Sequence, residues 1–212
     1  MGDFDLSYVL SKFKECICTN NPDDILLQPY CEAFREIARF FSFINIGFSF
    51  VGMNVKSSCN ELLKAQEHSK DDSILFLKDA LLYDTQFNGN FLTYSSIIWL
   101  HRPLEFILRL FEAFSTLEDD STPCSQIALD SYLPTMGRFH SWPIQQMTKL
   151  LFYTLPDWKI LRTSTMQTDK IQTDDLMKEI IFIGKIIYEK TENMIQKFEN
   201  ENLKTSPLSD ID

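Results

Sequence analysis

Between Tyr30 and Leu62 apolar side chains return every third or fourth residue: Tyr30, Phe34, Ile37, Phe41, Ile44, Phe48, Val51, Val55 and, past Ser58, Leu62. That spacing marks one face of an α-helix. A seam of roughly 40 residues outruns an ordinary globular helix and so predicts a kink or a break. Its start is read at Asn21-Pro22-Asp23-Asp24, where a capping side chain, a first-turn proline and two acids suit the positive helix end. A second long helix is predicted from about Asn90 to Leu117. Pro103 inside it removes the hydrogen bond to the Trp99 carbonyl and should bend it. A third is predicted after Thr173-Asp174-Asp175, with Leu176, Ile180, Ile183, Ile187, Met194 and Phe198 on one stripe. Shorter helices are expected at about 4–17, 71–86, 123–138 and 143–154, and no segment alternates convincingly enough for a strand. The reading is all-α: one domain over residues 1–203 and a frayed polar tail over 204–212.

Composition narrows the class. The 212 residues are 44% hydrophobic and 13% aromatic, with 18 phenylalanines, too apolar for disorder. A chain this long buries about 70% of its unfolded surface as one domain. No run of about 18 apolar residues could span a bilayer, and the opening MGDFDLSYVLSKFKEC has no signal-peptide pattern. Gly2 is followed by a poor match to an acylation signal. A net charge of −10 argues against nucleic acid, which is bound by clustered Lys and Arg. The five cysteines, Cys16, Cys18, Cys31, Cys59 and Cys124, lack metal-site spacing and suit a reducing cytosol.

Catalytic signatures are absent. Asp71-Asp72, Asp119-Asp120 and Asp174-Asp175 are read as acids beside loops and helix starts, and neighbours in sequence diverge on a helix. No nucleophile elbow, phosphate loop or metal motif appears, so neither an enzyme nor a cofactor or metal is expected.

Three segments then stand out: FSFVGMNVKSSCNELLK (Phe48–Lys64), IIWLHRPLEFILRLF (Ile97–Phe111) and YLPTMGRFHSWPIQQMTKLLFYTLP (Tyr132–Pro156). In this order the chain resembles the glycolipid transfer protein superfamily, from about Phe34 to Leu161. The Trp-Leu-x-Arg and His-x-Trp pieces are the most specific. The resemblance implies a two-layer sandwich of about eight helices enclosing an apolar lipid tunnel. It implies that Trp99 lies under the first sugar of a glycolipid, that His140 bonds the ceramide amide and that Trp142 touches the membrane. The family's headgroup-binding acid, amide and lysine, at i, i+4 and i+7, fall here on Asn54, Ser58 and Glu61.

None of those three is the family residue. Asn54 keeps an acceptor oxygen without the charge, Ser58 offers one short hydroxyl, and Glu61 reverses a lysine. If Glu61 points inward it disfavours sulfated or phosphorylated headgroups. The branch typified by ceramide-1-phosphate transfer proteins carries three arginines on the tryptophan helix, at positions that here read Ser95, Trp99 and Arg102. A phosphate needs two or more convergent cations, so Trp99 tilts the expectation toward a sugar headgroup, while Arg102 and Lys56 leave room for phosphate.

Each residue also has a plain structural reading. Trp99 can be core, His140 a satisfied structural imidazole, Trp142 an incidental exposed ring, and Asn54, Ser58 and Glu61 a solvated border. Taken with the resemblance, the expectation is a cytosolic, monomeric, non-enzymatic carrier that docks transiently on membranes and binds one sphingolipid. The rivals are a ceramide-1-phosphate-type carrier, a lipid sensor on the same fold that does not transfer, and a helical interaction module.

Overall fold

The computed structural model describes residues 4–20, 23–44, 48–68, 74–83, 91–118, 122–165 and 170–202. These form nine α-helices: α1 (Leu6–Cys16), α2 (Leu27–Ile44), α3 (Ser49–His68), α4 (Leu77–Tyr83), α5 (Leu92–Ser115), α6 (Cys124–Tyr132), α7 (Trp142–Phe152), α8 (Trp158–Thr165) and α9 (Lys170–Asn202). A 3₁₀ turn, Met136–Phe139, joins α6 to α7. Among the described residues the only β pairing is two isolated bridges, Leu26 with Phe76 and Pro123 with Asp157. The fold is the all-helical arrangement expected from the periodicity.

The long apolar seam breaks into α2 and α3, which pack against each other. Tyr30, Phe34, Ile37 and Phe41 from α2, then Phe48, Val55 and Leu62, are all buried; the Ile44 side chain lies outside the described residues. Arg35 ties the pair together by donating to Asn60 Oδ1 at 2.8 Å. At its N-terminus α1 is capped by Asp5, whose carboxylate accepts from the Ser7 and Tyr8 amides. The Asp5 amide in turn donates to the buried Glu36 carboxylate of α2 at 2.9 Å, so the start of α1 is fastened to α2.

Several boundaries differ from the sequence-based expectation for identifiable reasons. The start read at Asn21-Pro22-Asp23-Asp24 is not the helix start, although Asn21 and Pro22 themselves lie outside the described residues. This stretch is committed to other backbone bonds, Leu26 N to Cys16 O, Leu27 N to Leu75 O and, from the first residue of α4, Leu77 N to Ile25 O. Asp24 is therefore not a first-turn acid; it is buried and pairs with Lys78 at 2.6 Å. Helix α9 begins at Lys170, which places Thr173, Asp174 and Asp175 inside it, with Thr173 fully buried. The segment expected as one helix over 123–138 stops at Tyr132 and tightens into the 3₁₀ turn. Helix α8 was not anticipated; it docks through Trp158, stacked on Phe114 of α5 at 4.2 Å. Asp71-Asp72, Asp119-Asp120 and the tail 204–212 lie outside the described residues.

Helix α5 is the central element. It packs on α9 and α3, and α6 packs on α5 and α7 on α6. Close approach to α9 requires Gly184, where an added Cβ would stand 2.5 Å from Leu108 Cδ2 and 3.3 Å from Phe13. The same interface holds His101, buried on α5. Its Nε2 donates to Glu192 Oε2 at 2.7 Å, its ring stacks on Tyr188 at 4.3 Å, and Nδ1 has no partner among the described residues. All five cysteines are free thiols, four of them buried. No helix among the described residues is long and apolar enough to cross a membrane.

Two outcomes test this interface. Gly184→Val should lower unfolding free energy in urea by about 2 kcal/mol or more, because overpacking exceeds any gain in helix propensity. Burial holds His101 below its ordinary 6.5 against the opposing pull of Glu192. The unfolded chain therefore binds a proton at higher pH than the folded one, and stability falls as pH drops below that value. His101→Gln should make the decline between about pH 7 and 5 shallower; an unchanged slope would remove His101 from the account.

Candidate functional site

Between α2 and α3 on one side and α5, the 3₁₀ turn and α7 on the other lies a cavity of about 280 Å³. Its walls are mainly phenylalanine and aliphatic side chains. The polar-capable lining residues are Asn54, Trp99, Tyr132, His140 and Thr148, and none of the described lining residues is charged. At its inner end four rings close on one another. Phe41 stacks on Phe106 at 6.4 Å, Phe106 on Phe152 at 6.1 Å and Phe152 on Phe48 at 6.0 Å. Behind them a void of about 10 Å³ continues toward Phe114 and Leu161. Ligand cavities run from about 300 to 1,000 Å³, so the site as it stands is narrow and has room to grow only if these rings part.

Three of the sequence-predicted residues converge on this cavity. Asn54 comes from the exposed side of α3. Trp99, 53% exposed, comes from α5 beside Pro103, whose missing N–H leaves the Trp99 carbonyl without its usual helical donor. His140 follows the 3₁₀ turn. That turn is held by His140 N bonding to Gly137 O, and by Gln145 Nε2 donating to Gly137 O and His140 O at 2.9 Å each. The imidazole is half-buried, and its Nδ1 lies 2.6 Å from the Tyr132 hydroxyl. Burial lowers its pKa from 6.5, which keeps the ring neutral at pH 7.

Arg102, one turn along α5 from Trp99, is exposed and does not line the cavity. Its guanidinium sits 4.1 Å from the Phe139 ring centre, and it has no ion-pair partner among the described residues. Arg138, over the same ring, is paired with Glu105 at 2.6 Å.

Ser58 and Glu61 are not brought to the cavity. Ser58 is buried at 8% exposure, away from the lining. Glu61 turns along its own helix to Lys64, 2.8 Å away. An i,i+3 partner of opposite charge captures it, so the inward orientation that would repel an anionic headgroup is not adopted.

Trp142 opens α7 with 70% of its surface exposed, ahead of Pro143. Met147 and Leu150 of the same helix and Tyr153 just past its end are exposed too, as are Phe50 and Met53 of α3. Phe50 and Ile144 belong both to this surface and to the cavity wall, so the apolar face runs into the cavity mouth.

Sequence reasoning missed Tyr132 and Thr148. Their pairing with the site depends on a chain reversal between α6 and α7, which leaves no periodic trace.

An all-helical chain with an uncharged internal cavity, a few polar side chains at its mouth and an apolar outer rim is built to enclose an amphipathic, lipid-like ligand. Comparisons with known proteins agree. Residues 25–167 match the family model described as Glycolipid transfer protein (GLTP). A ceramide-1-phosphate transfer protein of Bos taurus is 24% identical over 213 residues, spanning 95% of this chain and 95% of its own. The crystal structure of the mouse ceramide-1-phosphate transfer protein without ligand superposes with a TM-score of 0.80 at 20% identity, covering 95% of this chain and 98% of that one. An Arabidopsis accelerated-cell-death 11 variant complexed with C12 ceramide-1-phosphate also gives 0.80 at 20% identity, covering 93% and 96%. The chain belongs to the glycolipid transfer protein family, a family of lipid transfer proteins.

Proposed function

We propose that the protein carries one sphingolipid between membranes without altering it chemically. The lipid chains occupy the cavity between α2–α3 and α5–α7, and the headgroup lies against Asn54, Trp99, Arg102 and His140. The convergence of Asn54, Trp99 and His140 on one apolar cavity carries this reading. Each buried methylene contributes about 0.8 kcal/mol, so chains provide affinity with little selectivity. Selection falls to the polar side chains at the mouth. The carrier works as a cytosolic monomer and docks transiently through Trp142 and the exposed side chains of α7, an indole favouring the headgroup depth of a bilayer.

For the headgroup, a sugar is the favoured ligand. The Trp99 face is free to stack on sugar C–H groups, the described cavity lining has no charge, and Arg102 is the one cation beside Trp99 on its helix turn. A specific observation supports a second reading, ceramide-1-phosphate: the similar curated proteins from Bos taurus and Rattus norvegicus carry that name, and several structural neighbours hold that lipid. Arg102 would then supply a cation, whereas Lys56, two residues beyond Asn54, points to the opposite side of α3.

Vesicle assays separate these readings. Donor vesicles with fluorescent galactosylceramide or fluorescent ceramide-1-phosphate, mixed with unlabelled acceptors, should show accelerated movement of the glycolipid. Movement of the phosphate lipid alone selects the second reading, and binding without acceleration of either makes the protein a sensor. Trp99→Ala should slow glycolipid transfer about tenfold with the helical circular dichroism intact. Unfolding of Trp99→Ala with undiminished transfer per folded molecule would place the ring in the core instead. Trp142→Ala should weaken sedimentation with phosphatidylcholine vesicles several-fold while leaving detergent-presented lipid binding unchanged.

A further inference from the structure

His140 meets the cavity with two ring nitrogens, and the structure commits one of them. Nδ1 is 2.6 Å from the Tyr132 hydroxyl, while Nε2 has no hydrogen-bond partner among the described residues. Tyr132 is itself fixed. It is 3% exposed, and its ring stands edge-on to Phe106 at 6.3 Å and to Phe152 at 5.6 Å.

The direction of the short bond follows from acid and base strength. Burial raises the phenol above its ordinary pKa, so it keeps its proton. Imidazole nitrogen is a much stronger base than a hydroxyl oxygen, and the phenol proton goes to it. An imidazole that accepts at Nδ1 and stays neutral carries its proton on Nε2.

We propose that Tyr132 is a positioning residue that holds His140 in its neutral Nε2–H form, so that the ring presents a single donor to the amide carbonyl of the bound lipid. This rests on the sphingolipid reading above and gives it a chemical criterion. The site requires a carbonyl acceptor at the lipid linkage. A sphingoid lipid with a free amine offers a cationic donor there and is refused, whatever its headgroup.

The test uses the full chain with isotopically labelled histidine, the His140 ring signals being identified by their loss in His140→Asn. In the wild type, nitrogen NMR should show Nε2 protonated and Nδ1 bare. Tyr132→Phe keeps the ring packing and removes the hydroxyl. It should yield a mixture of both tautomers, raise the His140 titration midpoint toward 6.5 and slow galactosylceramide transfer about fivefold, the loss of one hydrogen-bond-directed contact. Wild-type protein should transfer galactosylceramide and fail to transfer its N-deacylated counterpart. A wild-type ring protonated on Nδ1, or a Tyr132→Phe tautomer identical to wild type while His140→Asn abolishes transfer, overturns the proposal and leaves the carrier reading intact. Undiminished transfer by His140→Asn removes His140 from the lipid site and overturns both.

Discussion

Helix α5 has to serve two opposed surfaces with residues two positions apart. His101 faces α9, where it is buried against Glu192 and Tyr188, and Trp99 faces the cavity. Successive helix positions turn by about 100°, so a residue pair at i and i+2 points in nearly opposite directions. Fixing His101 in the α5–α9 interface therefore fixes where the indole of Trp99 stands. The glycine at 184 lets α9 come close enough for that interface to form. The same approach draws in Tyr94, whose hydroxyl donates to Glu199 at 2.6 Å, and Lys185, 3.3 Å from Glu112. The cavity-facing side of the helix is held in place because its other side is crowded.

The second layer of control is the reversal between α6 and α7. Here the chain places polar side chains at the edge of an otherwise hydrocarbon-lined space, and the turn supplies contacts for several of them. Gln145 closes the backbone carbonyls, Tyr132 holds the imidazole, and Arg102 and Arg138 stand over Phe139. A polar group next to an apolar cavity is costly when unsatisfied, so the arrangement leaves little freedom in the direction that His140 presents.

How much of this was legible in the sequence depended on whether a feature was local. The phenylalanine spacing of α2 and α3 could be read because burial on one helix face repeats along the chain. The Trp-Leu-x-Arg and His-x-Trp pieces led to the family, which the match over residues 25–167 bears out. Asp24 misled because an acid near a proline resembles a helix start, whereas its partner, Lys78, is distant in sequence. Helix α8 was invisible because eight residues carry too short a pattern, and its anchoring contact, Trp158 on Phe114, is again distant. Glu61 could be placed on the correct helix but not oriented, since Lys64 competes for it. Tyr132 was quoted in a motif and given no role, because its bond to His140 exists only after the turn forms.

The ring cluster of Phe41, Phe48, Phe106 and Phe152 has a thermodynamic consequence. Hydrocarbon reaching the inner void exchanges contacts between these rings for contacts with itself, and the two kinds of contact are similar in strength. Uptake is thus close to an even trade at that depth. Rings that re-close on one another leave almost no empty space behind them, so this end of the cavity stays packed without anything in it.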